Sequence, residues 1–452
     1  MRRTTFQTTM LSGAAVAAIL LPLSAQAQTQ DELLAEINAM KAQIAALEQK
    51  LNAQASTPAP AEEAPAISYG GTGLKFTSPD GRNSIQFGGR VQAEAALYDE
   101  DKSYLGDGTE LRRTRIFTQG KVFDDWGFKF ELDVATGNAS VNDAYIAYLG
   151  LDSVTIRVGH EKPPFSLDQF GSAKYITFIE RATPVALALG RLTGIDASYG
   201  GSNFSAMTGL YGESFNDDAG SEGDEGWHAV GRVTYAPIAE KTMAVHLGLS
   251  AGYEDPRGST VRFRERPESH VTGARFVDTG NLAGVDSVTR IAAELAAVWG
   301  PLSLQGEYLT ATVSRSPRSA LPGLDDVTFD GWYAQASYFL TGESRNYDAS
   351  SGTFGRISPN QAFGDGGWGA WEVAGRYSTI DLSDGSVRGG NESNWSLGLN
   401  WYATKNVRFS FNYVNVDNDS EATGNAANLK SGIATAGNDD PQIYQISAYI
   451  DF

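Results

Sequence analysis

Tyr444-Gln445-Ile446-Ser447-Ala448-Tyr449-Ile450-Asp451-Phe452 ends the chain. Side chains alternate across a strand, so Tyr444, Ile446, Ala448, Ile450 and Phe452 share one face, and Gln445, Ser447, Tyr449 and Asp451 share the other. Lipid on the apolar side and water on the polar side is the environment of a transmembrane barrel strand. The same alternation recurs upstream. Trp395, Leu397, Leu399 and Trp401 form one uncharged row, and Trp332, Ala334, Ala336, Tyr338 and Leu340 another. A soluble barrel would charge its outer face. The expectation is an all-β fold, an antiparallel transmembrane β-barrel of about 16 strands, preceded by a short coiled-coil helix.

Arg2, Arg3, an apolar run from Met10 to Leu23 and the small-residue step Ala25-Gln26-Ala27 predict a signal peptide over 1–27. Residues 28–52 are expected to form a coiled coil, because Leu33, Ile37, Met40, Ile44, Leu47 and Leu51 step by four and three. An Ala/Pro-rich tract over 53–67 predicts a semi-rigid linker, and 68–452 predicts one barrel domain. The chain lacks cysteine and carries 50 glycines, with 54 acidic against 35 basic residues, a formal charge of −19. That balance argues against nucleic acid as a partner. It leaves open where the charges sit.

If the apolar faces meet lipid, the opposite faces line the lumen. This puts Arg90, Gln92 and Glu94 inside from the first strand, and Arg113, Arg115 and Lys121 from the second. Lys129, Glu131, Asp133, Asp143, Tyr145 and Arg157 follow, with Arg232, Glu307, Arg376 and Arg408 from later strands. The bland alternative is a set of ion pairs that stiffen the wall. In the long segment 255–278, Arg262, Arg264 and Arg266 alternate with Phe263 and Glu265, with Arg275 beyond. An extended backbone would set the three arginines on one face, roughly 6–7 Å apart. Guanidinium keeps its charge and offers planar paired donors, which match phosphate oxygens. A second long segment, 160–191, holds Lys162, Lys174, Arg181 and Arg191. It follows the fifth strand, where an inward loop would narrow a channel.

Phe87-Gly88-Gly89-Arg90-Val91-Gln92, Glu110-Leu111-Arg112-Arg113-Thr114-Arg115, Val158-Gly159-His160-Glu161-Lys162-Pro163-Pro164-Phe165-Ser166 and Phe178-Ile179-Glu180-Arg181 resemble the phosphate-selective porin O and P family. Arg232-Val233-Thr234-Tyr235-Ala236-Pro237 and His246-Leu247-Gly248 extend the resemblance, which spans about Gly70 to Phe452. It implies homotrimers of 16-stranded outer-membrane barrels of a Gram-negative cell, among lipid and lipopolysaccharide. It also implies passive uptake of phosphate or polyphosphate along an arginine ladder to a constriction. Arg262, Arg264 and Arg266 look like that ladder, and Lys162 and Arg181 like constriction positions. The rival expectation, drawn from the overall acidity, is a general or cation-selective porin.

No cofactor is expected. Gly364-Asp365-Gly366-Gly367-Trp368-Gly369 matches a dinucleotide fingerprint by letters but lacks a strand–helix context. The four histidines sit in no nucleophile motif, so an enzyme is not expected.

Overall fold

The computed structural model describes residues 29–55, 64–135, 137–214, 225–315, 324–419 and 438–452; the expected signal peptide lies outside them. Residues 64–452 form one compact unit. Its wall is a closed antiparallel barrel of sixteen strands. The first half comprises β1 (Ser84–Asp99), β2 (Gly108–Val122), β3 (Trp126–Asp133), β4 (Ser140–Leu151), β5 (Val154–Glu161), β6 (Leu192–Gly200), β7 (Phe204–Tyr211) and β8 (Trp227–Ala239). The second half comprises β9 (Met243–Asp255), β10 (Val285–Trp299), β11 (Leu302–Arg315), β12 (Val327–Phe339), β13 (Ala370–Asp384), β14 (Val387–Tyr402), β15 (Val407–Asp419) and β16 (Gln442–Asp451). Closure comes from β16 against β1, with Ala448 opposite Ala93. A hairpin, Ala66–Gly70 and Gly73–Thr77, extends the sheet at the start of β1. In the separate N-terminal unit, Gln30–Ala55 is helical. No helix among the described residues is long and apolar enough to cross a membrane.

Outward faces carry the apolar rows, Trp395, Leu397, Tyr444, Ile446 and Phe452 among them. Aromatic rings band the wall. Trp371 and Trp401 stack at 5.7 Å and Trp401 and Phe409 at 5.4 Å, where amphipathic rings suit the edge of a bilayer. The glycine-rich 364–369 segment lies against this band: Trp401 Nε1 donates to the Trp368 carbonyl at 2.8 Å. Gly369 sits at φ +72°, and a Cβ there would meet the Tyr402 carbonyl oxygen at 2.4 Å. The fingerprint-like spacing is a backbone bend.

Connections at the end where β1 begins are mostly short, which marks that end as periplasmic. Two connections depart from this pattern of short periplasmic turns and long outer loops. The periplasmic link 340–369 is long and enters the lumen, where Arg232 donates to the carbonyls of Ser351 (3.1 Å) and Gly352 (2.8 Å). At the opposite end β13 and β14 meet in a tight turn with Gly385 at φ +55°.

Part of the interior is a dry core rather than a channel. Val288, Leu309, Val313, Phe329 and Ile380 point inward from β10 to β13. They pack against Leu187 of the 162–191 loop and against Val261, Phe263 and Val277 of the 256–284 loop. Each such side chain contributes about 1.5–3 kcal/mol on burial, which drives both loops into the barrel. Four charges expected to line the lumen serve this packing instead. Arg232 pairs with Glu294 at 2.7 Å. Glu307 accepts from the backbone of Leu167 and Asp168, both at 2.8 Å. Arg408 donates to the Ile176 carbonyl at 2.8 Å. Arg376 pairs with Glu268, the loop carboxylate that also accepts from Ser378 and Ser396, both at 2.6 Å. Alternation tells inside from outside. It does not tell water from an inserted loop.

Glu268 thus pins the 256–284 loop to the far wall. Removing it strands Arg376 as a buried, unpaired charge, a loss of about 3–5 kcal/mol. Glu268→Ala should lower the midpoint of heat-induced unfolding, followed by electrophoretic mobility, and open 256–284 to protease in the still-folded barrel. Unchanged protection would mean that the apolar contacts alone hold the loop.

Candidate functional site

The open part of the lumen runs along β1 to β5. A cavity of about 520 Å³ lies between this wall and the 162–191 loop. Nine cations line it: Arg90, Arg112, Arg113, Arg115 and Lys129 from the wall, and Lys162, Lys174, Arg181 and Arg191 from the loop. Only three carboxylates join them, Glu131, Asp143 and Glu161. Asp133, Glu180 and Asp451 bind cations of this set from its margin. Even with all six carboxylates, positive charge is in excess.

Some cations are spent on geometry. Arg115 reaches Glu131 at 2.9 Å and Asp133 at 2.6 Å. Asp143 ties wall to loop, pairing with Lys129 and, at 2.8 Å, with Arg191. Lys162 and Arg181 serve a single helical turn, Leu167–Phe170. Lys162 donates to the carbonyls of Gln169 (2.7 Å) and Gly171 (2.9 Å). Arg181 donates to Asp168 (2.7 Å) and Gly171 (3.1 Å). With the Glu307 carboxylate at the other end of that turn, cations and anion complement its dipole. These bonds tie the loop to its own helical turn and to the wall.

Other donors are left over. Among the described residues, Nε and Nη1 of Arg90 are buried without a hydrogen-bond partner, and Glu131 stands 4.0 Å from its Nη2. Arg113 donates to Gln92 at 3.0 Å, with Glu180 at 3.9 Å. A buried guanidinium with unmet donors is costly.

Arg112 escaped the alternation argument. In the β1–β2 register Gln92 faces Arg113 and Ala93 faces Leu111, so Arg112 is an extra bulged residue. Leu111 is exposed on the outside, Arg113 is buried on the inside, and the bulge turns Arg112 inward too. It forms a two-point pair with Glu180, 2.5 and 3.1 Å. The adjacent Arg112-Arg113 was the only signal in the sequence, and it needs the partner strand's register to interpret. Lys129, expected in the lumen, and Lys174, expected on the inward loop, both line this cavity.

The 256–284 loop is a bent hairpin in which Thr260–Val261 pairs with Leu282–Ala283, and Arg264–Glu265 with Val277–Asp278. Arg262 and Arg264 are exposed while Phe263 between them is buried. Arg262 is held by Asp278 at 2.7 and 2.5 Å. Arg266 donates to the Thr272 carbonyl at 2.8 Å and lies near enough to Arg112 for the two charges to repel. Arg275 neighbours Arg264 and Arg266. Lys121 stands exposed near the periplasmic end of β2, outside the cavity.

A family model described as phosphate-selective porin O and P matches residues 85–437. The chain belongs to this family. The porin is 30% identical over 460 residues to an uncharacterised protein of Caulobacter vibrioides, covering 91% of this chain and 90% of the relative. It is 28% identical over 401 residues to Porin O of Pseudomonas aeruginosa, covering 80% and 90%. Among solved structures, in-vitro folded OmpT of Vibrio cholerae superposes with a TM-score of 0.52 at 12% identity, covering 82% and 98%. That last likeness concerns the fold alone. Barrel and family support an outer-membrane porin and point to a channel.

The Arg262–Asp278 pair has a pH signature. Burial works to raise the Asp278 pKa, but the Arg262 hydrogen bond and a backbone donor from Gly280 outweigh it and hold the carboxyl below its ordinary value. A depressed carboxylate contributes stability in full above its unfolded pKa of about 3.9 and loses it as pH falls through the lower folded value. The porin has no cysteine, so a spin label on Thr260→Cys reports the loop cleanly. Its spectrum should stay constant from pH 7 to about 4.5 and become mobile only below about 3.8. Loosening near pH 6 would assign control to another group.

Proposed function

We propose that the porin is a passive channel for anions, with phosphate or polyphosphate the preferred cargo. The observation that carries this reading is the excess of cations in the cavity, together with the unpartnered donors of Arg90. Guanidinium forks favour tetrahedral oxyanions over spherical chloride, because two planar donors meet two oxygens at once. In this reading Arg262, Arg264 and Arg266 lead an anion from the outside toward Arg112 and Arg113, and Arg275 adds charge beside them. Arg90, Arg115, Lys162, Arg181 and Arg191 form the constriction, and Lys121 adds positive charge at the exit. The family's description as phosphate-selective supports the same cargo.

The acidic rim supports a second reading, a general or cation-selective pore. Asp440 lies close enough to Asp417 and Asp101 for burial and mutual repulsion to raise its pKa. Reversal potential under a chloride gradient in planar bilayers separates the two. The expected outcome is anion selectivity with phosphate blocking the chloride current. Arg113→Ala and Arg90→Gln should each raise the half-blocking phosphate concentration by about ten- to a hundredfold, the scale of a lost charged hydrogen bond. Arg262→Ala, Arg264→Ala and Arg266→Ala should lower the rate of phosphate entry more than the affinity. Cation selectivity without block would overturn the reading and leave the porin fold standing.

The coiled coil and the homotrimer belong to the same proposal, as does export with a cleaved signal peptide into a membrane of lipid and lipopolysaccharide. Leu33, Ile37, Met40, Ile44, Leu47 and Leu51 are all exposed on the single helix. A heptad row of that kind is buried by a second copy. Deleting residues 29–66 should weaken the oligomer in detergent, read by light scattering. An unchanged oligomer would assign assembly to the barrel alone.

A further inference from the structure

The long periplasmic link 340–369 reaches the inner wall beside the cavity. Its Arg356 grips Asp451 with two nitrogens, one of them at 2.8 Å from Oδ1. Asn406 Nδ2 donates to the same Oδ1 at 3.1 Å. The Asp451 side chain is 1% exposed, and its Oδ2 is shared between Arg356 and Lys174 Nζ, the latter at 3.3 Å. Lys174 lies on the 162–191 loop, lines the cavity and sits 5.5 Å from the centre of the Phe117 ring, which lines it too. The link also holds the loop beside Lys174: the Arg356 guanidinium lies 5.8 Å from the Tyr175 ring centre, and Arg345 donates to the Tyr175 carbonyl at 3.4 Å.

One buried carboxylate therefore serves two cations, and they serve it unequally. Arg356 satisfies both oxygens, in the planar two-point geometry that makes such pairs strong. Lys174 has the longer contact, at 3.3 Å, and lines the cavity as well. Without Arg356 the buried carboxylate would draw Lys174 in fully, because a desolvated anion must find a cation.

We propose that Arg356 is a positioning residue for anion passage, holding Asp451 so that Lys174 stays available to the permeating anion at the periplasmic end of the site. This rests on the reading of the cavity as an anion site, and it goes beyond that reading by giving the periplasmic link a part in affinity. The residue touches no anion. It acts through Lys174.

The test measures phosphate block and the chloride-to-potassium permeability ratio of the full-length porin in planar bilayers. Arg356→Gln should weaken block about fivefold, the scale of a partly exposed ion pair, and lower the permeability ratio. Arg356→Gln combined with Asp451→Asn should restore both to near the parent values, because no carboxylate remains to capture Lys174. In a Lys174→Gln background, Arg356→Gln should change nothing further. An additive effect there, or failure of Asp451→Asn to restore, would overturn the proposal and leave Arg356 as a brace for the link. Heat-induced unfolding of each variant separates loss of structure from loss of charge. If the parent shows no phosphate block, the phosphate reading fails by itself, and the permeability ratio still decides the part played by Arg356.

Discussion

Hydrocarbon offers no hydrogen-bond partner to a backbone amide, and the rest of this molecule follows from that constraint. Every strand edge must be paired, so the sheet closes, β16 against β1, down to the last residue: the amides of Gly89 and Phe452 each donate to the other's carbonyl, at 2.8 and 3.0 Å. Closure separates two problems that a soluble protein solves together. The outer face needs only to be apolar and banded with aromatics. The inner face is then free to be specialised, and this porin divides it into an apolar filling under β10 to β13 and a wet cationic passage along β1 to β5.

The division depends on loops that behave like domains of a soluble core. Phe263 meets Phe329 edge-on at 5.6 Å, inside a membrane barrel. Glu268, Glu307 and Arg232 then fix the loops by charged hydrogen bonds in a place that water barely reaches. The passage is therefore held from three directions: by the strand wall, by the two long outer loops, and by the periplasmic link. Inside it, some cations are held in ion pairs and others keep donors with no partner among the described residues. Arg115 with its two carboxylates and Arg90 with its two orphaned nitrogens mark the extremes.

Strand number and the inward facing of Arg90, Arg113 and Arg115 could be read from alternation, because a period of two is a local property of the chain, and the inward loop from its length and its place after β5. What was not legible is non-local. Arg232, Glu307, Arg376 and Arg408 face inward as their strands require, yet whether they meet water or a folded loop depends on segments far away in sequence. The β13–β14 turn and the long link 340–369 defied the rule of short turns at one end and long loops at the other. That rule describes an average and places no physical constraint on any one connection. Arg112 was lost for the opposite reason: it breaks the period by a single residue, and only the partner strand records the break.

That bulge gives the passage an unusual genetic property. Two neighbouring arginines face the same compartment because β2 carries one residue more than its partner requires. Deleting Arg112 would leave Leu111 facing lipid and Arg113 facing water, restoring a regular strand without disturbing the wall. A channel of this design can therefore shed or regain a cation in its cavity by loss or gain of one codon, with no change to the facing of the strand residues on either side. Length variation within a strand, normally the most disruptive change a barrel can suffer, becomes here a route by which the charge of the cavity can change.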